Sequence, residues 1–212
     1  MICILGCLLT EAGIQIKSEM LSHFKEHTIF CVEQEPPGKY AEYPALYYTI
    51  KAALDFKRPI LYCHTKGAGN PIPYHCTRHK GSFADVKPQG ASLADWQPSV
   101  RNMWYHEFTG LRLQEYLTVA SANRPIVACP YSGKGNVTWQ NGFIINYHAA
   151  LELNKIFHQA SNRYWYEIMF SELPNVEVHG MIYNHINYPL DESRFDMYKS
   201  IWSFYHNSVK KT

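Results

Sequence analysis

The residues able to do chemistry in this chain cluster at a few points, and the most informative is Arg58-Pro59-Ile60-Leu61-Tyr62-Cys63-His64-Thr65-Lys66-Gly67. The apolar run Ile60 to Cys63 has the length of a buried strand. It stops at an imidazole, a hydroxyl, an ammonium and a glycine able to turn the main chain. Open α/β folds keep their ligand-binding groups at the carboxyl ends of buried strands. His64, Thr65 and Lys66 are therefore candidate binding residues, the alternative being that His64 and Thr65 merely close a strand before a loop. Lys66 would bring a compact cation suited to a phosphate.

A second cluster is Trp139-Gln140-Asn141-Gly142-Phe143-Ile144-Ile145-Asn146. Asn141 offers both a donor and an acceptor, and Gly142 lets a ligand or another backbone come close just before an apolar strand. The plainer alternative is a strand entered through a turn. In Arg163-Tyr164-Trp165-Tyr166-Glu167 the first and last residues stand four apart on one helical face. Glu167 could serve there as a general base, although Arg163 beside it would lower its basicity, and such pairs are commonly surface ion pairs. Tyr131-Ser132-Gly133-Lys134-Gly135 lacks the full phosphate-loop pattern and reads as an ordinary turn.

Composition excludes several classes. A net charge of +2 and no basic run longer than Lys210-Lys211 argue against a nucleic-acid partner. With 46% hydrophobic and 18% charged residues, the 212-residue chain can build one core, and nothing in it marks a linker. A single domain spanning residues 1–212 is expected. The six cysteines form no C-x-x-C pair and several sit in apolar runs, as expected of reduced thiols in a cytoplasmic protein. His75, Cys76 and His79 lack the second ligand pair that structural zinc needs, so no metal site is expected. No segment approaches the roughly 20 apolar residues of a membrane span, and Met1 to Leu9 lacks a basic leader.

The elements that must position these groups alternate. Ile2 to Leu9 reads as strand. A helix follows with Ile16, Met20, Leu21 and Phe24 along one stripe, then a second β-rich run from Thr28 to Val32. Glu42 and Tyr43 precede Pro44, which suits a helix's first turn, and Leu46, Ile50, Ala53 and Leu54 continue that helix towards the Ile60 strand. Residues 67–98 carry glycines and prolines without periodicity and read as a lid or loop, or else as a disordered insert. Ser99 can cap a helix bearing Arg101 near its start, with Val100, Met103, Trp104, Phe108 and Leu111 facing one way. Pro125 to Cys129 and Val176 to Tyr183 read as strands. A helix from Tyr147 to about Phe157 and a C-terminal one with Phe195, Tyr198, Trp202 and Tyr205 complete the chain. The expectation is a three-layer α/β fold with a mostly parallel sheet and flanking helices.

In this order, Glu42-Tyr43-Pro44, the Ile-Leu-Tyr-Cys-His-Thr-Lys-Gly strand end, Trp139 to Asn146 and Arg163 to Glu167 resemble bacterial glycosyltransferase-like proteins of the GT-A nucleotide-sugar fold, over residues 40–170. The resemblance implies a cytoplasmic enzyme of surface-polysaccharide or similar synthesis, with a nucleotide-sugar donor and a glycan acceptor. In that family the strand equivalent to Ile60 to Cys63 usually ends in Asp-x-Asp, which holds a divalent metal. Here the position reads His64-Thr65-Lys66, poor ligands for a hard cation, and no Asp-x-Asp occurs. What the resemblance then implies is metal-independent transfer, without a cofactor. Lys66 would stabilise the departing diphosphate and Glu167 would be the base. Glu42, Tyr43, His64, Thr65, Arg101, Asn141, Gly142 and Arg163 would contact substrates. The alternative is a non-catalytic nucleotide- or sugar-binding module. Neither motif nor composition fixes the oligomeric state, and an oligomer is compatible with both.

Overall fold

The structure, a computed structural model, describes residues 1–34, 42–65, 85–138, 142–158, 165–186 and 192–205. In chain order the elements are β1 (Ile2–Leu8), α1 (Glu11–His23), β2 (Thr28–Gln34), α2 (Tyr43–Phe56) and β3 (Ile60–His64). A 3-10 turn (Leu93–Asp95) then leads into α3 (Trp96–Glu107), α4 (Gly110–Ala120), β4 (Ile126–Gly133), β5 (Val137–Thr138) and β6 (Phe143–Ile145). The last elements are α5 (Tyr147–Ile156), α6 (Trp165–Ile168), a second 3-10 turn (Met169–Glu172), β7 (Glu177–Ile186) and α7 (Glu192–Trp202).

One open sheet runs in the order β2-β1-β3-β6-β4, with β7 on the far edge of β4 and the short β5 also against β4. β1 pairs in parallel with β2 and β3, and β4 in parallel with β7. β6 is antiparallel to both β3 and β4, and β5 is antiparallel to β4. The sheet is therefore mixed. Its long strands share one direction, and the reversed β6 sits in the middle.

Strands covered on both faces read as continuous apolar runs, and β1 and β3 do. Cys3, Leu5, Cys7, Leu61 and Cys63 join a core with Met20 of α1, Val100, Met103 and Trp104 of α3, Tyr116 of α4 and Ile201 of α7. Ile2, Ile4, Ile60 and Tyr62 turn the other way, into a core with Leu46 and Ile50 of α2, Leu153 of α5, and Tyr166 and Phe170. Each large apolar side chain so buried contributes about 1.5–3 kcal/mol. Helices thus flank the sheet on both faces. No helix of the described residues is long and apolar enough to cross a membrane.

Three local readings change. α3 begins at Trp96 and not at Ser99, because Ser92 and Asp95 form a capping box one turn earlier and Trp96 is buried in ring contacts with Tyr198 and Trp202. The end of the 67–98 stretch is accordingly packed, whereas residues 66–84 lie outside the described residues. Leu111 does not continue the α3 face: Gly110, at φ +54°, breaks the chain into a separate α4 and leaves Leu111 85% exposed. Tyr131, Ser132 and Gly133 extend β4. The turn falls at Lys134-Gly135-Asn136, where Gly135 and Asn136 both take positive φ. At the α3–α4 corner, buried Glu107 accepts hydrogen bonds from Tyr116 Oη at 2.9 Å and Arg112 Nη2 at 2.7 Å, which satisfies its charge.

Candidate functional site

The chain leaves β1 for β2 on one side and returns to β3 on the other, so the strand order reverses between β1 and β3. Crevices outside the carboxyl ends at such a point are where open α/β sheets bind ligands. The residues there are Leu8, His64 and Thr65. Thr65 stitches the two strand ends together, its N–H donating to Gly6 O at 2.8 Å and its buried Oγ1 accepting from Leu8 N–H at 3.1 Å. Thr10 caps α1 at the same edge, accepting from Gly13 N–H at 3.0 Å. On the other face the first turn of α2 comes down on the strands. A β-carbon on Gly6 would stand 3.0 Å from Ala45 Cβ and 3.4 Å from His64 Cβ, so a larger residue there would press α2 away from the strand.

His64 is half-buried between two rings, that of Tyr62 at 6.0 Å between centroids and, edge-on, that of Trp104 at 5.5 Å. Trp104 also closes over Gly142, where a β-carbon would lie 2.4 Å from Nε1. The close approach that Gly142 permits is thus made by an indole. Because β6 runs antiparallel to β3, with Tyr62 opposite Phe143, the residue preceding β6 falls beside the carboxyl end of β3. His64 and Gly142 therefore share one edge, with Trp104 touching both.

The remaining sequence candidates are distributed as follows. Glu42 is the half-buried N-cap residue of α2 and makes no side-chain capping bond. Tyr43 begins that helix and stacks on Phe157, with centroids 5.3 Å apart and planes 5° from parallel. Arg101 is buried on α3, where Nε and Nη2 donate to the Glu19 carboxylate at 3.3 and 3.2 Å. Tyr105 Oη donates to the same carboxylate at 2.9 Å. Its guanidinium therefore ties α3 to α1. The Glu167 backbone lies in α6, which starts at Trp165. Lys66, Asn141 and Arg163 lie outside the described residues, as do His75, Cys76 and His79. Among the described residues no group of three or more His, Cys, Asp or Glu side chains is arranged to hold a metal ion.

Two groups at this edge escaped the sequence reading because each passed for core. Tyr62 and Trp104 are fully buried, yet the Tyr62 hydroxyl and the Trp104 Nε1–H have no hydrogen-bond partner. Burial pushes the Tyr62 phenol well above its ordinary value, and the charge of Glu42 adds to the rise, followed by Cys63 and Tyr166. The available signal was a tyrosine in a continuous apolar run where phenylalanine would pack equally well. No protein-family model, curated protein or solved structure matches this chain.

Proposed function

We propose that this protein is a glycosyltransferase-like enzyme of the GT-A type, moving a sugar from a nucleotide-sugar donor to a glycan acceptor without an Asp-x-Asp metal. The observation that carries this reading is the placing of His64 and Thr65 at the strand-order reversal, with Gly142 brought alongside by the antiparallel β6. The mixed α/β sheet with helices on both faces supports it at the level of fold class. In the proposed reaction an acceptor hydroxyl attacks the anomeric carbon of the donor sugar. The bond from that carbon to the diphosphate oxygen breaks, and the hydroxyl proton passes to Glu167. Lys66, next in sequence to Thr65, neutralises the departing diphosphate. Glu42, Tyr43 and Asn141 contact the sugars.

The test is calorimetric titration of nucleoside diphosphates into wild type and Lys66→Ala, each with and without chelator. A charge-assisted hydrogen bond contributes roughly 1.5–3 kcal/mol, so Lys66→Ala should weaken binding by about ten- to a hundredfold while chelation leaves wild type unchanged. Lys66→Arg recovers only part of the loss, a planar fork not replacing a compact ammonium. Binding that requires added metal, or that ignores the loss of the lysine, refutes the proposal. Donor hydrolysis across a panel of nucleotide sugars separates an enzyme from a binding module of the same fold.

A further inference from the structure

Two cysteines meet at the edge of the sheet, where β2 lies against β1. In the register of these parallel strands Leu5 stands opposite Cys31 and Cys7 opposite Glu33, so Cys7 is the diagonal neighbour of Cys31. Side chains two apart on a strand share a face. Leu5 and Cys7 belong to the core beneath α1, and Ile29, two residues before Cys31, packs against that core, whereas Val32 packs on the other. Both thiols therefore lie on the α1 face. Cys7 is buried, while Cys31 is open to solvent. α1 adds a cation here: Lys17 Nζ donates at 2.6 Å to Glu33 Oε1, and Glu33 is opposite Cys7 and two residues beyond Cys31.

An exposed thiol with a second thiol and an ammonium beside it has the parts of thiol–disulfide exchange: an attacking sulfur, a charge that favours its thiolate and a resolving sulfur. We propose that Cys31 and Cys7 form a redox-modification site, at which Cys31 takes up a low-molecular-weight disulfide such as glutathione disulfide and Cys7 then closes an internal Cys7–Cys31 bond. The Cys31 thiolate attacks one sulfur of glutathione disulfide. A bond from Cys31 to glutathione forms, the original S–S bond breaks and one glutathione leaves as thiolate. Cys7 Sγ then attacks Cys31 Sγ, and the second glutathione leaves with the Cys7 proton. Two protein thiols are oxidised, and one glutathione disulfide is reduced to two thiols. The order of attack follows from the pair itself. Cys7 donates a hydrogen bond to the Cys31 sulfur, which lowers Cys31 to about 7, with partial burial opposing and the Lys17 charge assisting. Cys7 is raised in return, first by that bond and then by burial. Once Cys31 is in a mixed disulfide it carries no charge to hold the Cys7 proton, and the main restraint on the second thiol lifts. Diagonal neighbours in a sheet have Cα atoms about 7–8 Å apart, a little beyond the roughly 4.4–6.8 Å of an unstrained disulfide. Closing the bond must therefore draw in β2, which is the last strand on its side of the sheet among the described residues. A bond closed under strain is easily reduced, so the modification is reversible. The inference is independent of the glycosyltransferase reading.

The experiment incubates the full-length protein with glutathione disulfide at pH 7, quenches with acid, alkylates the remaining thiols and maps the products by peptide mass spectrometry. All proteins carry Cys76→Ser, because Cys76 lies outside the described residues. Thermal melts check that each variant folds. The parent should pass through a Cys31–glutathione adduct to a Cys7–Cys31 disulfide, which excess reduced glutathione opens again. In Cys7→Ala the adduct should accumulate at Cys31 and form up to about threefold more slowly. The scale follows from moving a thiol near 7 towards the ordinary value of about 8.5: the thiolate fraction at pH 7 falls about fifteenfold, and greater intrinsic nucleophilicity restores about fivefold. Cys31→Ser should give neither product and leave Cys7 unmodified. A parent that keeps glutathione on Cys31 without closing the internal bond overturns the inference. So does a Cys31 that reacts no faster than the buried Cys3, Cys63 and Cys129, or a Cys7 that is still modified in Cys31→Ser. The parent protein alone decides the matter should Cys7→Ala fail to fold.

Discussion

Gly142→Ala tests whether the contact between β6 and α3 governs the candidate site. A single added methyl group would stand 2.4 Å from Trp104 Nε1, 2.6 Å from Cε2 and 3.0 Å from Cδ1. All three distances fall well inside van der Waals contact, and the obstacle is a rigid, fully buried indole. Trp104 is itself set against His64 and embedded among the residues of α3, α4 and α7, so it cannot swing into solvent. A glycine-to-alanine change that suits the backbone ordinarily stabilises by about 0.4–1 kcal/mol through the unfolded chain. Here overpacking reverses the sign and should destabilise by about 1–3 kcal/mol. For a chain of 212 residues that is a fall in Tm of about 2–12 °C. The assay is a double-mutant cycle by thermal or denaturant unfolding, with Trp104→Phe as the second change. Removing the five-membered ring should relieve most of the clash, so Gly142→Ala should cost far less in that background, with coupling of about 0.5–3 kcal/mol. An unchanged or raised Tm for Gly142→Ala, or additive effects in the double mutant, would refute the reasoning.

Two further outcomes concern pH. Cys31, exposed on β2, has its thiol lowered to about 7, chiefly by the hydrogen bond from Cys7 on the neighbouring strand and then, against the opposing effect of its partial burial, by the charge of Lys17. Alkylation of Cys31 by iodoacetamide should therefore rise with a midpoint near 7, and Cys7→Ala should move that midpoint upwards; an ordinary thiol profile in wild type counts against the pairing. Burial lowers the His27 imidazole. Its Nε2–H donates to Phe108 O at 2.8 Å, and Nδ1 has no acceptor for a second proton. The unfolded chain then binds the proton first, so stability from this group is full above the ordinary value of about 6.5 and is lost as pH falls through it. The drop in Tm between pH 7.5 and about 5.5 should be shallower in His27→Gln; an equal slope in both proteins would exclude His27 as its source.

What the sequence determined by itself is the alternation of elements and the end of the third strand at His64. The apolar run Ile60 to Cys63 has the length of a buried strand, and it forms one with its alternate faces covered by the two cores. Stripes such as Ile16-Met20-Phe24 and Leu46-Ile50-Ala53 found their helices because burial demands that periodicity. Boundaries were less legible. The start of α3 depended on a capping box at Ser92 and on Trp96 meeting Trp202 of α7, a contact between distant parts of the chain. Tertiary structure alone decided the direction of β6. In a wholly parallel sheet the residue preceding β6 would lie at the opposite end from His64. Reversed between β3 and β4, the strand instead delivers Gly142 to the carboxyl edge. No local pattern in Phe143-Ile144-Ile145 encodes that reversal, since a buried strand presents apolar side chains to both faces whichever way it runs. The unmet donors of Tyr62 and Trp104 were hidden for the same reason: whether a buried hydroxyl or indole finds a partner depends on what the fold brings against it.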